Sequence, residues 1–562
     1  MRRKTLTTIL SLLMAAMMAL TLAGCAQPAA EQPEPAGEVV EPPEATEAPA
    51  QEPEKTPAAE EQQESEEDVE EVTVDVAVIG GGASGTGAAA AAIDGGASVL
   101  MVEKNAGIGG ISHFYAGGPF AVESHLQLEE GGEFAKITKE ELFQAINEYA
   151  RHINYAPLTK AIVEKSGDTI AWLETWGVTF HLNYEPAQIS DIGYPIKYML
   201  YHWYDLFSYD HMEKAAIDVV HENLAAKGLD LRLNTTATEL LQDENGRVNG
   251  FVAEKKEGGK LIVHAKAVIV GTGGFAGDPE MMMEYYHTPN TGSFGEGGTG
   301  VKMAWAVGAA KWDTSSSLFH GAGMVSPEKP GEITLSTSAF SRIPRSPLMW
   351  IDQTGNRFCN EEVVWDVALT AAVAYSVGGK YYILVDTPTL EAYTEDKILR
   401  VDTAVGGPNW EKGDFVALAE EGVKQGIIVK ADTLEELAQK LGMETERLLA
   451  NVEEYNIAVE TKEDMYGKTE ESLVYPVKNG PFYAIKMQMS NLGTLGGVRV
   501  NEKLQATDVD LKPIPGLYVV GNDAAGFYGN TTTYPPYGGL ATGFAWNSGR
   551  IAGENAALEA KK

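Results

Sequence analysis

The run Val72-Thr-Val-Asp-Val-Ala-Val-Ile79, followed at once by Gly80-Gly-Gly-Ala-Ser-Gly85, constrains this chain more than any other feature in it. A short β-branched apolar run reads as a buried strand. The turn fits G-x-G-x-x-G, and the Ala-rich stretch through Asp94 reads as the helix that it opens. In such a unit the first glycine makes the tight turn. The second lets backbone approach a pyrophosphate, and the third lets the helix pack close to the strand. The phosphates then sit at the positive helix N-terminus. A second strand, Ala97–Val102, ends at Glu103, where an acid accepts hydrogen bonds from a ribose. A glycine motif alone is weak evidence, because a Gly-rich surface loop also matches it. Strand, helix, second strand and terminal acid together point to a dinucleotide site, with Gly80, Gly82, Ala83, Ser84, Gly85 and Glu103 as its binding residues.

The N-terminal residues read as a targeting segment rather than as fold. Arg2, Arg3 and Lys4 precede an apolar run, Leu6–Leu22, which ends in Leu22-Ala23-Gly24-Cys25. This resembles the bacterial lipobox, whose Cys receives a diacylglycerol. The expectation is an exported protein, lipidated at Cys25 and anchored to the outer face of a bacterial membrane. No other run approaches the length of a transmembrane helix. Residues 26–71 are Pro, Glu, Ala and Gln with almost no large apolar side chains, so they read as a disordered acidic tether. Sixteen carboxylates against the single base Lys55 lie between Glu31 and Glu71, so much of the net charge of -37 sits there. That charge argues against nucleic-acid binding. The only cysteines are Cys25 and Cys359, which leaves no disulfide and no cysteine ligands for an iron–sulfur cluster or c-type haem.

Beyond the opening unit, helices are expected at Lys139–Tyr149, Leu158–Thr175 and His211–Lys227. Strand pairs are expected over Asp230–Val252 and Leu261–Val270. The region Leu318–Asn491 mixes strands with helices at Thr433–Leu441 and Glu444–Glu460. The chain then returns to a strand, Leu517–Val520, and a final helix, Gly539–Ala557.

Several further motifs give a likeness running from Val72 to the C-terminus. Glu103-Lys104 is followed by Gly109-Gly110-Ile111-Ser112 and Gly117-Gly118. Thr235–Glu239 precedes Ala267-Val-Ile-Val-Gly271-Thr-Gly273-Gly274. Gly298-Thr299-Gly300, Asn356-Arg-Phe-Cys-Asn-Glu361, Gly516-Leu-Tyr-Val-Val-Gly521-Asn522-Asp523 and Gly538-Gly539-Leu540-Ala541 complete the set. The chain resembles the flavoprotein subunits of fumarate reductase and succinate dehydrogenase, with Thr299 where an Asp is usual. That resemblance implies an α/β fold and FAD, in a Rossmann-like domain split in sequence. The two stretches of that domain would be 72–317 and 492–562, and an α+β capping domain would be inserted at 318–491. It adds Lys104, Gly110, Ile111, Ser112, Gly117, Gly118, Ala237, Gly273, Asn522, Asp523, Leu540 and Ala541 as FAD-binding residues. Membrane-bound members attach FAD to a His near His113. The loop length here is that of the soluble members, which implies non-covalent FAD.

The likeness breaks at the substrate. Trp365, Gly493 and Pro536 fall where the family places an acid Arg, a carboxylate-binding His and a clamping Arg. Leaving a buried carboxylate without its cation costs several kcal/mol, so fumarate and succinate are not the expected ligands. His320 stands where the family places a substrate-binding His. Aromatics flank the altered positions in Tyr534-Pro-Pro-Tyr537, and a tyrosine hydroxyl can donate a proton. A second aromatic group, Tyr194, Tyr198, Tyr201, His202, Trp203 and Tyr204, reads as packing or as a wall for a flat substrate. Arg342 and Arg345 read as salt-bridging residues or as a carboxylate anchor. The function expected is reduction of an activated C=C bond, in an enoate or enone, used as an electron acceptor. Tyr537 or Tyr534 would be the first candidate acid and Arg345 the second, with His320 orienting substrate. Electrons would come from an FMN- or haem-bearing protein or a membrane carrier. Two alternatives are an oxidative enzyme similar to 3-ketosteroid dehydrogenases, and a non-catalytic flavin relay or binding lipoprotein.

Overall fold

The computed structural model describes residues 68–562, apart from 115–116, 133–135, 183–200, 206–214, 288–296, 316, 325–338, 402–411 and 530–537; at 114, 318–322, 367–368 and 490 it describes the backbone alone. Cys25 and the expected tether up to residue 67 therefore lie outside the described residues. Strand β1 (Val69–Ile79) begins three residues before the expected start. The extension holds because Glu70, read from sequence as tether, bridges Arg232 at 3.0 Å and Lys255 at 2.7 Å.

Helix α1 (Ala83–Asp94) follows β1, and β2 (Val99–Val102) lies parallel to it with Ile79 opposite Val102. Helix α2 (Ala216–Ala226) leads into β3 (Asp230–Arg232), parallel to β2. An antiparallel pair, Thr235–Gln242 and Val248–Lys255, then delivers the chain to β4 (Lys260–Val270) on the other side of β1. Helix α3 (Thr299–Ala306) and β5 (Ser317–Met324) lead out of this layer. The chain returns along β6 (Phe482–Thr494). Strand β7 (Pro513–Val519) completes the parallel set beside β4, and helix α4 (Leu540–Ala560) closes the layer against α1. Ile79, Val102, Val270 and Val519 end level with one another, so their turns share one edge of the sheet. In open α/β sheets, ligands bind at that carboxyl edge.

Between β5 and β6 lies a second, antiparallel sheet. It contains β5, β6, Lys380–Asp386, Met349–Ile351 and Ile428–Ala431. Its cores hold Trp350, Tyr381, Phe415 and Tyr393 on one face and Leu437, Leu448 and Tyr455 on the other. Strand β6 threads all layers. Phe482 and Met489 pack in the second sheet's cores, while Leu492 packs on the core of the parallel sheet. Arg357 and Glu361 of the Asn356–Glu361 block are nearly or fully buried. Arg357 makes two 2.8 Å bonds to Glu361 and also pairs with Asp464, while Lys468 lies 3.2 Å from Glu361. A buried charge held this way is costly to leave alone, so the block reads as a structural tie.

One buried acid stands apart. Asp313, at the end of the short strand Lys311–Trp312, has φ +51 and accepts a bond from Gly526 N at 2.9 Å. Its other oxygen is buried without a hydrogen-bond partner among the described residues, and burial pushes the carboxyl up to about 7.

Candidate active site

The glycine turn behaves as its sequence demands. Gly80 has φ +105, and a Cβ there would lie 2.3 Å from the Gly271 carbonyl. A Cβ on Gly85 would lie 1.9 Å from the Gly80 carbonyl, so the helix can sit this close only without one. At Gly82, by contrast, a Cβ would meet nothing nearer than Gly109 O at 4.0 Å, because this glycine faces a cavity.

That cavity is a cleft of about 1210 Å³, mouth included, along the carboxyl edge of the sheet. Gly80, Gly82, Ala83, Ser84, Glu103, Lys104, Gly110, Ile111, Ser112, Ala237, Gly273, Asn522 and Ala541 all line it. Chain segments from both ends of the globular part are thus brought to one site. Three helices, α1, α3 and α4, start at its wall. Each has a glycine N-cap, no capping side chain and no acid in its first turn. Their free N–H groups and dipoles favour phosphate and other electron-rich atoms. Glu103 accepts from Gly81 N and Asn105 N, each at 2.9 Å. A carboxylate has lone pairs to spare beyond two bonds, so Glu103 can still take ribose hydroxyls. Cradle, uncapped N-termini and acid fit a flavin dinucleotide.

Five expected residues do not line the cavity. Gly85 lies beneath the turn. The Gly117 carbonyl accepts from Tyr204 N at 2.9 Å, and a Cβ on Gly118 would lie 1.9 Å from the His202 carbonyl, so this pair seats the strand His202–Tyr204. Asp523 spends its carboxylate on Thr272 N, Thr272 Oγ1 and Gly274 N, the last at 2.8 Å. It shapes the glycine turn of β4 from behind. Leu540 is fully buried in the core. Conversely, Gly81, Thr235, Thr236, Gly271, Thr272, Gly298, Thr299, Leu492, Thr542 and Ala545 line the cavity and are not among the expected ligands. Most flank quoted motifs by one or two positions, and that adjacency is the signal the sequence offers.

His113 does not line the cavity. Its Nδ1 lies 3.6 Å from Asp218 of α2. Tyr534, Tyr537 and Pro536 lie outside the described residues, as does the side chain of His320, whose backbone runs in β5. Arg345 is half-buried, falls in sequence between the turn Phe340–Arg342 and the strand Met349–Ile351, and is not among the residues lining the cavity. Arg342 is buried, 3.4 Å from Asp396 and 5.1 Å over the Phe415 ring, which is a structural role. Trp365 donates to the Arg400 carbonyl at 3.2 Å and carries the Arg400 guanidinium 4.5 Å over its ring. Gly493 has φ +155, and a Cβ there would lie 2.6 Å from Asn522 Nδ2. In the second aromatic group, Tyr194 and Tyr198 lie outside the described residues. Tyr204 accepts from Trp546 Nε1 at 2.7 Å, and His202 Nε2 pairs with Ser124 at 2.6 Å, both within the core. These two are packing residues rather than a substrate wall.

A parallel sheet with a glycine turn, a cavity at its carboxyl edge and a capping sheet inserted between its halves defines a dinucleotide-dependent flavoprotein. The chain belongs to the FAD binding domain family, matched over residues 75–533. FAD is its cofactor, and it is an FAD-dependent oxidoreductase. It is 29% identical over 495 residues to the vinyl phenol reductase of Lactiplantibacillus plantarum, covering 86% of this chain and 96% of that one. A flavocytochrome c3 fumarate reductase in its open conformation superposes with TM-score 0.63 at 25% identity, covering 87% of this chain and 79% of that one. A 3-ketosteroid delta1-dehydrogenase from Sterolibacterium denitrificans has TM-score 0.67 at 19% identity, covering 86% and 99%, and so shares the fold.

Proposed function

We propose that this chain reduces an activated C=C bond in an enoate or enone, and not in fumarate. Gly493 carries the reading. It has no side chain and sits at φ +155, a backbone that side chains rarely adopt, so no imidazole meets a carboxylate from that position. Trp365 likewise carries no charge, although the Arg400 guanidinium stacks 4.5 Å over its ring. The name of the Lactiplantibacillus relative agrees with the exclusion of fumarate, since a vinyl phenol carries no carboxylate.

When bound, FAD supplies the hydride. The chain's own residues hold, orient and protonate. Gly80–Ser84 and the starts of α1, α3 and α4 would hold the cofactor, with Glu103 on its ribose. His320 would orient the substrate. Tyr537 or Tyr534 would donate a proton to the carbon next to the one that receives the hydride, with Arg345 as second candidate. His113 faces Asp218 through its Nδ1 and does not line the cavity, which supports non-covalent FAD. The Leu22–Cys25 pattern supports an exported, lipid-anchored protein. Such a protein would draw electrons from an external flavin- or haem-bearing protein or a membrane carrier.

Stopped-flow mixing of dye-reduced protein with acceptors tests the reading. Rapid flavin reoxidation by a monocarboxylic enoate or an enone, but not by fumarate, is the expected result. Reoxidation by fumarate alone would overturn the substrate class. Oxidation of a saturated substrate with no reverse turnover would favour the dehydrogenase. Exchange with redox proteins alone would favour the relay.

A further inference from the structure

Gly81, in the middle of the glycine turn, has both ends of its peptide unit tied. Its N–H donates to Glu103 at 2.9 Å, and its carbonyl accepts from Gly109 N at 2.9 Å and from Thr86 Oγ1 at 3.4 Å. Thr86 is fully buried in α1, and its hydroxyl lies 2.8 Å from Nε2 of His221, a buried residue of α2. A proton on Nδ1 would be a buried donor with no acceptor among the described residues, so the imidazole proton belongs on Nε2, donating to Thr86 Oγ1 and freeing the hydroxyl proton for Gly81. That tautomer satisfies hydroxyl, carbonyl and Nε2 together, leaving only a lone pair on Nδ1, which has no partner among the described residues. Burial holds the imidazole down to about 4, so it is neutral at ordinary pH. One turn earlier on α2, Asp218 faces His113, in the turn whose Ile111 and Ser112 line the cavity. Helix α2 thus reaches both loops at the phosphate end of the site while lining none of it.

We propose that His221 is a positioning residue for the cofactor: acting through Thr86, it sets the Gly81 peptide and so holds the glycine turn in the shape that grips FAD. This goes beyond the reaction proposed above and does not depend on which substrate is reduced. His221 and Thr86 act in series, so their effects should not add.

The test is the rate at which the holoprotein loses FAD on dilution, read from the recovery of flavin fluorescence. Thr86→Val, nearly isosteric, and His221→Phe should each release FAD about tenfold faster, a change worth about 1.4 kcal/mol. The double variant should be no faster than the worse single one. His221→Gln, which retains a donor, should stay within about twofold of wild type. Unchanged release in Thr86→Val, additive effects in the double variant, or a Gln variant as fast as the Phe variant would each overturn the assignment. A purely structural role would lower the melting temperature and leave the release rate alone. If His221→Phe does not fold, the Thr86→Val and His221→Gln arms still decide. Turnover is not read, so an error in substrate class cannot mimic failure here.

Discussion

Replacing Asp313 by Asn removes a buried charge while keeping the acceptor that Gly526 uses. In the folded protein the carboxyl is held up to about 7, chiefly by burial, against an ordinary value of 3.8. The nearby charge of Arg499 opposes that shift without cancelling it. The folded state therefore binds a proton that the unfolded state has released between pH 4 and 7, and stability falls as pH rises through that window. One unit is worth about 1.36 kcal/mol, so the full cost above pH 7 is about 4 kcal/mol. Asn does not titrate. Whatever its intrinsic effect, its advantage over wild type should widen by about 3 kcal/mol between about pH 5 and about pH 9. Denaturant unfolding of holoprotein at about pH 5, 7 and 9, with both proteins in the same buffers, measures the gap. Parallel stability curves would refute the argument, because they would mean that Asp313 is ionised throughout.

Glu103→Ala removes the acceptor for two backbone N–H groups and the candidate ribose contact, so FAD should bind about 10–100-fold more weakly, as equilibrium titration would show. Tyr537→Phe or Tyr534→Phe should lower turnover with the preferred acceptor by about 10²–10⁴-fold at unchanged FAD content, and full activity in both would move the acid to Arg345 or His320. His113→Ala should leave flavin fully releasable by acid, as in wild type; flavin retained in the wild-type acid pellet and lost in the variant would mean a covalent link. Deleting residues 26–67 should not change the melting temperature. Extending the deletion to Glu71 should lower it by about 1 °C for each kcal/mol lost, because Val69–Glu71 pair with Lys260–Ile262 and Glu70 bridges two cations.

The opening βαβ unit was legible because its signals are local: a β-branched run, glycines at fixed offsets and an acid at the next strand end. The flavin cavity was legible in outline for the same reason, since each lining segment carries its own glycine punctuation. What escaped depends on partners far away in the chain. Glu70 reads as acidic tail until Arg232 and Lys255 stand beside it. Asp523 reads as a ligand, and only the fold shows Thr272 and Gly274 filling its lone pairs. Gly117 and Gly118 look like cofactor glycines, yet they make room for the strand His202–Tyr204. His221 belongs to no motif, and nothing adjacent in sequence marks it as a neighbour of Thr86. The buried cost at Asp313 is equally invisible, because desolvation is a property of the assembled core.

The cavity wall draws on both ends of the globular chain, with Gly80–Ser84 at one extreme and Asn522, Ala541 and Ala545 at the other. This sets an order of events. While the chain is being made, its first βαβ unit can form, but the opposite wall is absent until the last helix has emerged and docked on α1. Cofactor capture is therefore a terminal step, and a chain that stops short of α4 forfeits the flavin rather than a peripheral helix. For a protein that crosses a membrane unfolded, the same order would place loading on the far side, where free FAD must be at hand.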